Sequence, residues 1–207
     1  MRIDTLPFGP LSSNMYVIEA HGSFFIVDPS VSPEICLRAV SDLDLTRVEA
    51  VFITHAHFDH VYCVEEWQNV CKCRFYMCDT EQRILSDSTM NCSEMIGKPM
   101  SFKADTTDVS AIPGSFSGLV ISVIHTPGHT SGSVCYRFIG DGDDCLFTGD
   151  TVFAGSAGRT DFPTGNVSEL MNSIGIIGKL NESVRLYPGH GPETDVAAEL
   201  RSNPYFF

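Results

Sequence analysis

Positive charge is scarce in this chain. Its 207 residues hold 13 lysines and arginines against 26 aspartates and glutamates, a formal net charge of -13. A nucleic-acid groove needs a basic stripe and an anionic membrane surface needs a basic patch, so neither partner is expected. Long apolar runs are missing too, and none reaches the roughly 20 residues a helix needs to cross a bilayer. The stretch Met1–Pro7 has no long apolar run after its one basic residue, Arg2, and does not read as a secretory signal. The expected location is therefore the cytoplasm. There the eight cysteines (Cys36, Cys63, Cys71, Cys73, Cys78, Cys92, Cys135 and Cys145) read as reduced thiols. Cys71-Lys72-Cys73 has no second pair at zinc-ribbon spacing. No repeat, low-complexity tract or Gly/Ser linker divides the chain. With 43% hydrophobic residues it is read as one domain over residues 1–207.

Short strands and helices alternate along this length. Met15–Glu19 and Ser23–Val27 are β-rich runs joined by Ala20-His21-Gly22, a hairpin with His21 as a surface turn residue. Ser32 caps an expected helix over Pro33–Ala39, with proline in its first turn. A strand over Val48–Ile53, a helix over Val64–Val70, a strand over Arg74–Met77 and a helical stretch over Thr80–Leu85 follow. Strands are expected again at Leu119–Ile124, Ser133–Phe138, Cys145–Thr148 and Val184–Tyr187. Asn166-Val167-Ser168-Glu169 has capping-box spacing and opens a helix reaching Leu180; a last helix covers Thr194–Arg201. This alternation predicts an α/β layered fold. Residues 86–118 lack periodicity and read as a lid or an insertion.

What the chain has in plenty is metal-donor chemistry at strand ends. Thr54-His55-Ala56-His57-Phe58-Asp59-His60 packs three imidazoles and a carboxylate behind the Val48–Ile53 strand, in a chain with seven histidines in all. Ligands at the C-terminal end of a strand are held by the sheet and open to a cleft. His129, Asp150 and His190 each follow a glycine just after a further strand. Glycine lets the backbone turn sharply and approach another group. Four strand ends converging at one rim would make a metal site. His125 lies within a strand register and reads as structural. Asp28, at the end of a strand, reads either as a turn residue or as a partner that orients a ligand.

His-x-His-x-Asp-His, followed by a lone His, a lone Asp and a lone His after successive strands, resembles the metallo-β-lactamase superfamily over nearly the whole chain. The resemblance implies a four-layer αββα sandwich with the metal site at one edge. The stretch Gly155–Phe162 and the terminal Asn203-Pro204-Tyr205-Phe206 look like the short bacterial members of its glyoxalase II-like branch, that is, hydroxyacylglutathione hydrolase-like proteins. By that likeness His55, His57 and His129 would bind a first metal, and Asp59, His60 and His190 a second. Asp150 would bridge them, with Asp59 and Asp150 the catalytic carboxylates. Arg159 and Phe162 would contact substrate. The glutathione-gripping helical extension of that family has no counterpart after Thr194, and the expected tyrosine is Asp161 here.

The donor set suits zinc, with iron or manganese as alternatives because carboxylates take part. Two divalent cations sharing one water would generate hydroxide near neutral pH. Less two aspartates and that hydroxide, the centre keeps about one positive charge, which suits a small anionic substrate. Attack on a thioester or ester carbonyl is the expected reaction, since a thiolate with a conjugate-acid pKa of roughly 8.5 leaves unaided. The competing expectation is a persulfide dioxygenase with one iron on His57, His129 and Asp150. The context Pro188-Gly189-His190-Gly191-Pro192 looks like the two-metal hydrolases instead.

Overall fold

Side chains on a strand point alternately to its two faces, and here the central strands of two sheets are buried on both faces. In the computed structural model, which describes residues 1–206, β1 (Arg2–Leu6), β2 (Met15–Ala20) and β3 (Ser23–Val27) form an antiparallel meander. β4 (Val48–Phe52), β5 (Arg74–Met77) and β6 (Thr107–Asp108) then add in parallel. Parallel neighbours need crossovers. The helix α1 (Pro33–Ala39) lies between β3 and β4 in sequence, and α2 (Val64–Val70) between β4 and β5. The helix α3 (Gln82–Ser86) opens the path to β6.

The second half repeats the plan. β7 (Ser115–Phe116), β8 (Leu119–His125), β9 (Val134–Gly140) and β10 (Asp143–Gly149) run antiparallel in turn. A small hairpin, β11 (Val152–Phe153) with β12 (Ser156–Ala157), precedes α4 (Val167–Ile177). β13 (Arg185–Pro188) returns parallel to β10, and β14 (Thr194–Asp195) leads into α5 (Val196–Ser202). The two six-stranded sheets have the orders β1-β2-β3-β4-β5-β6 and β14-β13-β10-β9-β8-β7.

Three apolar layers follow from the alternation. Phe25 and Val27 of β3, Phe52 of β4, Phe138 of β9 and Phe147 of β10 face one another between the sheets. Phe24, Ile26, Val51 and Phe75 point outward and pack with Cys36 of α1 and Trp67 of α2. On the far side Leu146 and Leu186 pack with Leu170 and Ile174 of α4 and Val196 of α5. The result is the αββα sandwich expected from the sequence.

Several boundaries differ, each for a local reason. β1 was not foreseen; its exposed and half-buried residues lack a clear apolar alternation, and it forms by pairing with β2. The stretch 80–85 begins as a 3-10 turn, Asp79–Glu81, before α3. The cap at Asn166 accepts from the N–H groups of Ser168 and Glu169 as expected, but α4 stops at Ile177. Beyond it, Lys179 and Leu180 N–H groups bond three residues back, to Ile176 and Ile177, so the chain tightens rather than continuing as α-helix. Thr194 and Asp195 pair with Leu186 and Arg185, so α5 starts at Val196 with Asp195 as its cap. Residues 86–118 carry the chain from one sheet to the other: a 3-10 turn over Ser93–Ile96, then β6, a 3-10 turn over Val109–Ala111, and β7.

Phe52 sits at the centre of the inter-sheet layer. Its ring stacks on Tyr76 with centroids 5.6 Å apart and meets the edge of Phe138 at 5.4 Å. Phe52→Ala is expected to cost about 3–5 kcal/mol of stability, read from urea unfolding. Val120→Thr, at a half-exposed position on β8, should stay within about 0.5 kcal/mol of the parent.

Candidate metal centre

β8 and β10 both run antiparallel to β9, and β13 runs parallel to β10. The C-terminal ends of these three strands therefore share one edge of the second sheet. The C-terminal end of β4, in the first sheet, meets that edge: the Val134 N–H donates to the Thr54 carbonyl at 3.0 Å and the Tyr136 hydroxyl to the Ile53 carbonyl at 2.9 Å. His55–His60 follow β4, His129 follows β8, Asp150 follows β10 and His190 follows β13. The seven residues named from the sequence are thus brought together. His125, exposed at the end of β8, lies outside the group.

Donor atoms of His55, His57 and His129 lie within 4.8 Å of one another, as do those of His55, His60 and Asp150, and those of Asp59, His60 and His190. Asp150 stands between the sets. Its Oδ2 is 3.4 Å from His129 Nε2 and 3.7 Å from His190 Nε2, and its Oδ1 is 3.4 Å from His60 Nε2. His190 Nε2 is 3.2 Å from Asp59 Oδ2. Glycine is required beside this crowd. A Cβ at Gly189 would fall 2.2 Å from Asp150 Oδ1 and 2.6 Å from His60 Cε1, and Gly149 sits at φ +49° with Thr54 Oγ1 where its Cβ would go.

The hydrogen bonds behind the ring nitrogens decide which nitrogen is free. A carboxylate only accepts, so His60 Nδ1 donates to Asp28 Oδ2 at 2.9 Å. A carbonyl only accepts, so His129 Nδ1 donates to Arg159 at 2.8 Å. Thr54 Oγ1 donates to Asp28 at 2.8 Å, which leaves it to accept from His55 Nδ1 at 3.1 Å. Each ring is held so that its Nε2 lone pair points inward. Among the described residues, His55 Nε2, His60 Nε2 and Asp150 Oδ1 are buried there without a hydrogen-bond partner, and His57 Nδ1 faces His129 Nε2 at 2.9 Å. Buried lone pairs converging without donors fit a cation, whose bonds would satisfy them. Of the two readings open for Asp28, the orienting one applies: its carboxylate also takes the Thr54 N–H at 2.8 Å, and its backbone adopts φ +53° to do so.

Electrostatics agree with that fit. Burial pushes the His55, His57 and His129 imidazoles down, His57 to about 3, so they stay neutral. Burial alone would raise Asp59 and Asp150; the neighbouring His60, with His190 at Asp59 and His129 at Asp150, more than offsets it, and both carboxyls fall below their ordinary range. Burial opposes charge on His60 as well, yet Asp59 and Asp150 hold its pKa well above the histidine norm. His190 is raised against burial by its hydrogen bond to Asp59 and by the charge of Asp150.

Four positioning side chains carry no signal in the sequence. Glu81 is wholly buried and clips two ligand loops together. It accepts from the Ala56 N–H at 2.7 Å, the Thr130 hydroxyl at 2.8 Å and the Gly132 N–H at 2.9 Å. In sequence it resembles any acid at the start of a helix. The Asn14 amide donates to the carbonyls of Pro188 and Gly191, both at 2.9 Å, and the Tyr16 hydroxyl to Pro188 at 2.6 Å, which fixes the His190 loop. The Ser13 hydroxyl donates to the Asp59 carbonyl at 2.7 Å.

The cluster forms the floor of a cavity of about 520 Å³ that Arg159 and Phe162 also line. The Phe162 ring meets His57 edge-on at 5.6 Å. The Arg159 guanidinium lies 4.0 Å over the Phe162 ring and pairs bidentately with Asp161, at 2.7 and 2.6 Å.

A family model described as the metallo-beta-lactamase superfamily matches residues 8–190. The chain is 32% identical over 210 residues to the probable metallo-hydrolase YqgX of Bacillus subtilis, covering 99% of this chain and 97% of that one. It is 29% identical over 210 residues to the hydroxyacylglutathione hydrolase GloC of Haemophilus influenzae, covering 99% and 98%. Among solved structures, the B3 metallo-beta-lactamase BLEG-1 superposes with a TM-score of 0.88 at 31% identity, covering 99% of each chain. A di-iron-bound form of TTHA1623 superposes at 0.78 and 27% identity, covering 99% and 100%. ETHE1 from Myxococcus xanthus superposes at 0.71 and 28%, covering 99% and 84%.

Two outcomes are expected. Asp28→Asn should weaken metal binding about 10- to 100-fold in a competitive chelator titration, because His60 loses the acceptor that sets its tautomer. Protons and cations compete for His60 and His190, whose pKa values the Asp59 and Asp150 carboxylates hold above the histidine norm. Metal affinity should therefore rise from pH 6 to pH 8, by about tenfold per pH unit for each proton displaced.

Proposed function

This chain belongs to the metallo-beta-lactamase superfamily, and from that premise we propose that it is a hydrolase that uses two divalent cations, bound by His55, His57, His129 and by Asp59, His60, His190 with Asp150 shared, to cleave a small-molecule thioester or ester. The observation that carries the reading is Asp150. Its Oδ2 reaches towards His129 of the first set and His190 of the second, and its Oδ1 towards His60 of the second, at 3.4–3.7 Å, which supports a ligand common to two neighbouring cations.

Bound there, divalent cations would supply Lewis acidity, polarising a carbonyl and acidifying water. The chain's own part is placement and charge. Asp59 and Asp150, ionised through their histidine neighbours, bring two negative charges to the reacting atoms. Asp28, Thr54 and the Arg159 carbonyl hold the imidazoles in register. Among the described residues, the cavity lining holds no carboxyl group besides Asp59 and Asp150. That scarcity favours a leaving group that needs no proton, such as a thiolate, over a lactam nitrogen.

The imidazole-rich donor set favours zinc, and the di-iron form of one similar structure makes iron the alternative. The substrate is read as a small thioester, anionic at the end that approaches the cations. The acidity of the chain, at -13, speaks against nucleic acid. No helix among the described residues is long and apolar enough to cross a membrane. The eight free cysteines support the cytoplasm as the proposed location. A persulfide dioxygenase with one iron on His57, His129 and Asp150 would leave Asp59, His60 and His190, a second convergent donor group, without a ligand role.

Metal content per chain, together with a thioester assay run without oxygen, tests the proposal. Two metals and anaerobic turnover are expected; one iron and oxygen consumption would replace hydrolysis with dioxygenation. Asp150→Ala should abolish turnover and lower occupancy at both positions, and an active, fully loaded variant would refute the sharing of Asp150.

A further inference from the structure

The floor of the cavity is polar, but its walls are not. Leu11, Phe58, Met95, Ile96, Phe153 and Phe162 line it, drawn from separate segments of the chain. Leu11 and Met95 are each 65% exposed, and Ile96 is 43% exposed. Large apolar side chains gathered at the mouth of a pocket, rather than scattered singly, mark a surface that gains by being covered.

These side chains are presented by tied-down backbone. Leu11 and Ser12 both sit in left-handed conformation, at φ +56° and +61°. Their turn is closed by hydrogen bonds from the Ser12 N–H to the Gly9 carbonyl and from the Ser13 N–H to the Pro10 carbonyl. Met95 and Ile96 ride on a 3-10 turn between two left-handed residues, Cys92 and Gly97. That turn is anchored where the Phe58 N–H donates to the Asn91 carbonyl at 2.9 Å and the Asn91 amide to the Met100 carbonyl at 2.9 Å. Left-handed non-glycine residues in two segments that line one cavity, Leu11 and Cys92 among them, are a feature of functional sites.

Cationic help for an anionic substrate body is lacking. Apart from the histidines, Arg159 is the one basic side chain lining the cavity among the described residues, and it is already paired with Asp161 through two hydrogen bonds and laid on the Phe162 ring. A carboxylate arriving there would find the Nε–Nη2 fork taken, would lie beside the negative charge of Asp161 and would enter the field of a chain at -13.

We propose that the cavity mouth is a subsite for an apolar group, so that this site takes thioesters or esters with a neutral, apolar body in preference to those of the anionic tripeptide glutathione. The proposal rests on the hydrolase reading above for the fate of the bond, but not for the recognition. Leu11, Met95, Ile96 and Phe153 would enclose an alkyl or aryl chain while the carbonyl meets the cations.

Thioethers, which cannot be hydrolysed, separate the two claims. With the metal-loaded protein, calorimetry would compare the hexyl and methyl thioethers of N-acetylcysteamine with S-hexylglutathione. The hexyl compound is expected to bind at least about tenfold tighter than the methyl one, and tighter than S-hexylglutathione. Met95→Asp and Leu11→Asp should each shrink the hexyl advantage several-fold with metal content unchanged. Equal binding of hexyl and methyl compounds, or tighter binding of S-hexylglutathione, would overturn the subsite. If the expected ranking appears but no thioester is turned over, the subsite stands and the hydrolase reading falls. If thioesters are turned over but the ranking fails, the reverse holds.

Discussion

Lone pairs held out of water at one edge of the sandwich are the constraint on which the molecule turns. His55, His57, His60 and His129 are buried, and the inward nitrogens of His55 and His60 have no donor to meet them. An interior cannot leave such atoms unanswered without cost. Protons offer a partial answer at His60 and His190, and cations a fuller one. The layers behind the site keep the groups from relaxing away from each other. Thr54 is bonded to Asp28 and to β9, Ala56 to Glu81, and Asn14 to the carbonyls on both sides of His190.

The two-sheet plan explains how one rim can collect donors so distant along the chain. The donor loops after β4, β10 and β13 leave strands whose other residues are committed to two apolar layers at once, as Phe52 and Val51 are in β4. A slip of one residue would exchange those faces. The register of the core therefore also sets the position of the chemistry. Above this rigid floor the walls change character, from charge and imidazole to leucine, methionine and phenylalanine. In the proposed reaction the polar floor would act on the bond, and the apolar wall would take what the bond joins.

Much of this was legible in the residues. The helices at Pro33–Ala39 and Val64–Val70 and the strand at Arg74–Met77 stand as read, because the Ser32 cap of the first and the apolar spacing of all three are local signals. So was the donor group, since His-x-His-x-Asp-His and the glycine-preceded His129, Asp150 and His190 stand out against a chain with few histidines. The strand β1 and the true ends of α4 and α5 were not, because pairing partners and hydrogen bonds three residues back decide them. Glu81, read only as part of a helical stretch, proved to be the clip between two ligand loops. Arg159, read as a cation awaiting substrate, turned out to be paired with its neighbour Asp161.

By itself the sequence determined the kind of fold and singled out the candidate donors, because alternation, capping and residue type are properties of short stretches. Only the tertiary structure decided that Asp150 stands between two donor sets, that Asp28 orients His60 and that Leu11 faces the same cavity as Met95. These are meetings of groups many residues apart, and no local pattern encodes a distance across two packed sheets.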